Sequence, residues 1–94
     1  MPHSGRRAKH FNGTAPSSAS TPGGVKIELG RLGSRLLITN LDGANTLEVS
    51  LDNGRNWYPI LAGVEPFGED VHVHFLRLRG DGAAVDYAVL AFVG

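Results

Sequence analysis

From residue 25 onward the chain alternates between apolar and polar side chains. VKIEL over 25–29 sets Val25, Ile27 and Leu29 on one side and Lys26 and Glu28 on the other, the period of two that belongs to a half-buried strand. The same reading gives strands at 35–40 and 46–51, where Leu47, Val49 and Leu51 point one way, and at 57–61, where Pro59 argues for a sheet edge because it has no amide to donate. In 71–79 the alternation changes phase: Val71, Val73 and Phe75 share one face, Leu76 and Leu78 the other, which predicts a bulge near Phe75. In 85–93, Val85, Tyr87, Val89, Ala91 and Val93 share a face opposite Asp86, Ala88, Leu90 and Phe92. Glycine- or Asp-Gly-containing turns at 30–34, 41–45 and 80–82, with a loop over 62–70, separate these runs. No window carries helical periodicity with caps. Strands at about this spacing predict an all-β fold, a small antiparallel β-sandwich or barrel of about six strands.

The chain has 94 residues, enough for one small domain, and no cysteine, so neither a disulfide nor a thiolate site supports it. With 41% hydrophobic and 19% charged residues it should fold, and its small core suggests help from partners. Lys+Arg and Asp+Glu balance at nine each, but the balance is uneven along the chain. Residues 1–24 hold Arg6, Arg7 and Lys9 and no carboxylate, whereas 25–94 hold six cations against nine anions. Residues 1–24 are also rich in Ser, Gly, Thr, Ala and Pro, with Phe11 as their one large apolar side chain beyond Met1. They are therefore expected to form an extended basic arm, disordered in isolation, ahead of a 25–94 body. Extended, such an arm reaches at most about 80 Å, the reach of a clamp or tether; a loose terminus is the alternative. No apolar run follows the Arg pair as in a signal peptide, and no stretch nears the roughly 18 apolar residues of a membrane span. Ordinary export and membrane insertion are not expected.

Several constellations invite a functional label. Ser50, Asp52, Gly54 and Trp57 fit the S-x-D-x-G-x-x-W spacing of an Asp-box, a hairpin in which the carboxylate accepts amide protons across the turn, glycine takes a left-handed φ and the indole packs over the base. It occurs once, without the repeats of a propeller, and is read as a structural hairpin. His72 and His74 share one side of a strand, a workable pair of metal ligands, but no third ligand is evident and an exposed pair on a wet face is the plainer reading. Arg79-Gly80-Asp81 spells an adhesion tripeptide and is accounted for as turn chemistry. Asn12-Gly13-Thr14 spells a glycosylation sequon, discounted because no export is expected.

Catalysis finds no nucleophile elbow, phosphate loop or metal motif, so no enzyme, cofactor, metal or small-molecule substrate is expected. The arm's three cations are too few for nucleic acid when the body is acidic. A carbohydrate-binding module, with Trp57 and Tyr58 as its platform, is the competing class, although adjacent strand residues face opposite ways.

LLITN over 36–40, then TLEVSLDNGRNWYPI over 46–60, FLRLRG over 75–80 and YAVLA over 87–91 are together similar to small virion proteins of tailed bacteriophages. The similarity covers roughly 35–94. It implies a capsid decoration (cement) protein or the base of a head fibre, made in the host cytoplasm, placed on the outer capsid surface, bound to the major capsid protein and commonly trimeric. A tail or baseplate accessory protein is the alternative within the same class. The arm matches no motif of that family. Its composition and length make Arg6, Arg7 and Lys9 candidates for pairing with acidic capsid side chains, and Phe11 a candidate plug for an apolar pocket. Leu90 and Phe92, on the second face of the last strand, are candidates for partial cover by a partner.

Overall fold

The computed structural model describes residues 7–94. It contains β1 (Arg7–Ala15), β2 (Val25–Asn40), β3 (Leu47–Ser50), β4 (Tyr58–Ile60), β5 (Phe67–Gly80) and β6 (Val85–Val93), and no helix among the described residues. All the strands pair antiparallel in one sheet of order β1-β6-β2-β5-β3-β4, which does not close. The all-β reading of about six antiparallel strands holds, with a single open sheet in place of the expected two-sheet sandwich or closed barrel.

Two expected boundaries are corrected. The turn at 30–34 does not end a strand: β2 runs through it, and the extra residues are absorbed as shifts of register between Glu28 and Gly33 and between Gly33 and Arg35. Backbone pairing to β5 resumes at once beyond the irregularity, so continuing the ladder satisfies more amides than leaving it. Likewise the loop over 62–70 is shorter than expected, because β5 already begins at Phe67, opposite Ile38. The change of phase near Phe75 lies within the same irregularity, since Phe75 opposes Glu28 and the next pair is Val73 with Gly33.

The irregularity divides the long strands into two halves. Ile27 and Leu29 are buried on one side of it, Leu36 and Ile38 on the other, so the inward face passes from odd to even positions. A single flat layer could not bury both. Side chains from both halves, including Leu29, Leu76 and Leu78 from one and Leu36, Val85 and Val93 from the other, belong to one core cluster and are fully buried. The sheet therefore turns over its own apolar face, with β2 and β5 serving both halves.

The arm supplies the sixth strand. Arg7–Ala15 pairs with β6 in an unbroken register from Arg7 opposite Val93 to Ala15 opposite Val85. Ala15 is fully buried, and Phe11, opposite Val89, packs against the core. Gly13 lies opposite Tyr87, and a Cβ there would sit 3.1 Å from the Tyr87 hydroxyl oxygen, so the ring covers the bare backbone. Thr14 Oγ1 donates to Asp86 Oδ1 at 2.6 Å. Residues 16–24 are tied down as well: Gly80 N donates to Pro16 O and Ser18 N to Gly80 O, both at 2.8 Å. Hydrogen bonding thus runs without a break across the expected arm-body boundary at residue 24.

Asn40 holds the remaining corner. It is buried, its Nδ2 donates to Asn45 O at 2.8 Å and to Ile60 O at 2.9 Å, and its Oδ1 accepts from Asp42 N at 2.8 Å. One side chain so fixes the 41–46 turn against the end of β4.

Candidate functional site

The Asp-box residues form the β3–β4 hairpin. Asn53 and Gly54 take φ of 62° and 89°, the left-handed values the reversal needs. Asp52 accepts from Asn56 Nδ2 at 2.6 Å and Asn56 N at 2.9 Å, and Ser50 Oγ donates to it at 2.8 Å. These donors, Asn56's side chain foremost, hold the carboxyl well down, at about 2. Gly54 N in turn donates to Ser50 Oγ at 2.8 Å, and Trp57 Nε1 donates to Gly54 O at 3.2 Å. The polar side-chain groups of Ser50, Asp52 and Trp57 are thus bonded within the hairpin, and Asn53 Oδ1 accepts from Arg77 Nε of β5 at 2.8 Å.

Arg79 and Gly80 of the adhesion tripeptide are likewise committed to the fold, and Asp81 is exposed beside them. Arg79 Nε donates to Glu48 Oε1 at 2.7 Å, its Nη1 to Pro22 O at 2.6 Å, and the guanidinium lies over the Trp57 ring. Gly80 is obligatory, because a Cβ there would lie 1.7 Å from Ala83 O. One face of Trp57 is under Arg79, while Tyr58 is exposed and packs its ring on Phe67, and Trp57, Tyr58 and Phe67 line one small pocket. His72 and His74 are exposed on β5, and no group of three potential ligands that includes them occurs among the described residues.

The four arm residues proposed for partner contact fare differently. Arg6 lies outside the described residues. Arg7 is exposed at the start of β1. Lys9, though exposed, donates from Nζ to Leu29 O at 2.9 Å, and Phe11 is half-buried on the core of its own chain. Leu90 and Phe92 are half-buried on the outward face of β6, where Leu37 and Arg35 stand opposite them.

One surface was not singled out from the sequence. Between β4 and the first residues of β5 lies a groove of about 990 Å³. Tyr58, Leu61, Val64 and Phe67 supply its apolar lining, and Glu65 and Glu69 are the only charged residues there. Its signal in the sequence is the run LAGVEPFGED over 61–70, which mixes apolar residues with acids and contains no cation. Read as a plain loop, that run hides the groove, because the side chains converge only after Phe67 pairs with Ile38.

In comparisons with known proteins, no family model, curated protein or solved structure matches the chain.

Proposed function

We propose that this protein is a non-enzymatic structural subunit of a virion, a capsid decoration (cement) protein that binds the major capsid protein on the outer shell. The observation that carries this reading is the place of the basic segment: it enters the sheet as the edge strand β1, whose first residue, Arg7, is exposed. A clamp needs such a base, a segment fixed in the sheet that begins in an exposed cation. The sheet, turned over its own core, serves as the sandwich body of such proteins. Capsid contact falls to Arg6 and Arg7, whereas Lys9 and Phe11 position the strand from inside. The similarity of residues 35–94 to small phage virion proteins supports the same class.

The test is occupancy on purified particles. Added wild-type protein is expected to bind shells lacking it in a copy number that scales with the capsid protein, and the Arg6→Glu/Arg7→Glu variant to bind weakly. Absence of binding overturns the reading, and a few copies confined to the tail would place the protein among tail accessories.

A further inference from the structure

We infer that β1 is a self-association edge: two copies of this chain pair antiparallel through Arg7–Ala15, about a two-fold axis at Phe11, and continue the sheet from one molecule into the next. Such a dimer does not depend on the virion reading.

The two edges of the sheet are built differently. β4, at one end, has three residues with Pro59 in the middle, and a proline there denies an incoming strand its amide. β1, at the other end, runs nine residues in unbroken register with β6 and contains neither a proline nor a bulge. Lysine side chains standing off an edge also block pairing, but Lys9 is not placed that way: its Nζ is turned back to Leu29 O of β2 at 2.9 Å.

The groups that β1 leaves open follow from its neighbour. Leu41 N donates to Asp86 O, and a strand residue's N–H and C=O point to the same side, so the even-numbered residues of β6 bond toward β2 and the odd-numbered ones toward β1. Those odd-numbered residues stand opposite Arg7, Lys9, Phe11, Gly13 and Ala15. The N–H and C=O groups of Ala8, His10, Asn12 and Thr14 therefore point off the edge, and all four residues are exposed.

The order of residues along the edge selects a second β1 as the strand that covers it. When Phe11 of one copy meets Phe11 of the other, Ala8 stands opposite Thr14 and His10 opposite Asn12, each as a hydrogen-bonded pair. All four open residues are then engaged at once. A shift of two residues either way carries Thr14 or Ala8 past the end of the facing strand, and a shift of one pairs open residues with closed ones. The same register sets Arg7 opposite Ala15 and Lys9 opposite Gly13, so no cation faces a cation, whereas parallel in-register pairing lays them side by side. Phe11, half-buried on its own core, gains an aromatic partner at the closer, non-hydrogen-bonded spacing. One strand serves both sides of the contact, so it closes at two copies, and the proline on β4 keeps the joined sheet from growing further.

Hydrogen exchange and sedimentation velocity on the full chain, each over a concentration series, test the dimer. A contact of one strand pair is small, so the dimer is expected to form reversibly as concentration rises. The amide protons of Ala8, His10, Asn12 and Thr14 should exchange fast in dilute solution and become protected as the dimer forms, while those of Lys9, Phe11 and Gly13 stay protected throughout. His10→Pro removes one outward N–H from each copy and no bond to β6, so it should weaken dimerisation at least about tenfold and leave the protection of Val85–Val93 unchanged. The exchange pattern of the wild type decides the matter even where the proline variant fails to fold. A wild type that stays monomeric across the series, a dimer in which those four amides remain open, or a folded His10→Pro that dimerises like the wild type would each overturn the proposal. None of these measurements uses capsid particles or a substitution at Arg6 or Arg7, so failure here is distinguishable from failure of the virion reading.

Discussion

Arg79 lies over the indole of Trp57, its guanidinium carbon 4.1 Å from the ring centroid. The same guanidinium pairs with Glu48, and both side chains are four-fifths buried. A third bond to Pro22 O joins the 16–24 segment to the pair. One side chain from β5 therefore links β3, the Asp-box hairpin and the chain that leads out of β1. Cation–π attraction and a partly desolvated ion pair act together there, where either alone would be modest.

Replacing Arg79 should accordingly cost more than replacing an exposed arginine. Arg79→Ala is expected to destabilise the protein by about 2–4 kcal/mol, because it leaves Glu48 partly buried without its partner. Arg35→Ala, which removes an exposed pair with Asp70, should cost less than about 1 kcal/mol. Urea unfolding followed by Trp57 fluorescence measures both. Equal effects would mean that the Arg79 network adds nothing.

Gly24 adopts φ of 67°, and a Cβ added there would fall 2.2 Å from Leu78 O. Gly43 has nothing within 4 Å of the same position. Gly24→Ala should therefore lose at least about 2 kcal/mol through backbone strain and displacement of β5, while Gly43→Ala stays within about 1 kcal/mol of the wild type. Thermal unfolding of the two variants side by side decides the point.

Asp52 gives a pH dependence whose sign follows from its hydrogen bonds. The Asn56 side chain and backbone amide, with Ser50, stabilise the charged form and hold the folded value at about 2, below the ordinary 3.8. The contribution is thus fully present above about pH 4 and is lost as pH falls through about 2. Asp52→Asn should be less stable than the wild type at neutral pH, and the difference in Tm should shrink across that acid window. A difference that stays constant down to pH 2 would show that the carboxylate's charge is not what the hairpin uses.

Removing β1 tests whether the basic segment is part of the fold. Deletion of residues 2–15 takes away buried Ala15 and the packing of Phe11, and it exposes the β6 edge that they cover. The truncated chain should melt at a lower temperature and lose amide protection in Val85–Val93, read by hydrogen exchange. Unchanged protection in β6 would mean that the remaining body folds independently.

Much of this architecture was legible in the residues. Alternation identified the inward face of β6 residue by residue, since Val85, Tyr87, Val89, Ala91 and Val93 are all buried. It also located the phase change near Phe75, and the Asp-box spacing located the hairpin turn at Asn53 and Gly54. These features are local, because a side chain's face and a turn's φ depend on neighbours a few residues away.

What the sequence could not settle was which strand lies beside which. Judged alone, residues 7–15 have too little apolar surface to order, yet β6 supplies the missing surface across a separation of 70 to 86 residues and makes them a strand. The same long-range pairing carries β2 through Gly30 and Gly33, turns the sheet over one shared core, and draws Tyr58 and Phe67 together at the groove. Period two fixes the face a residue presents and leaves its partner open. Only the tertiary structure chose the partners, because backbone hydrogen bonds pair any two strands alike and the burial that discriminates among them exists only once the whole sheet is assembled.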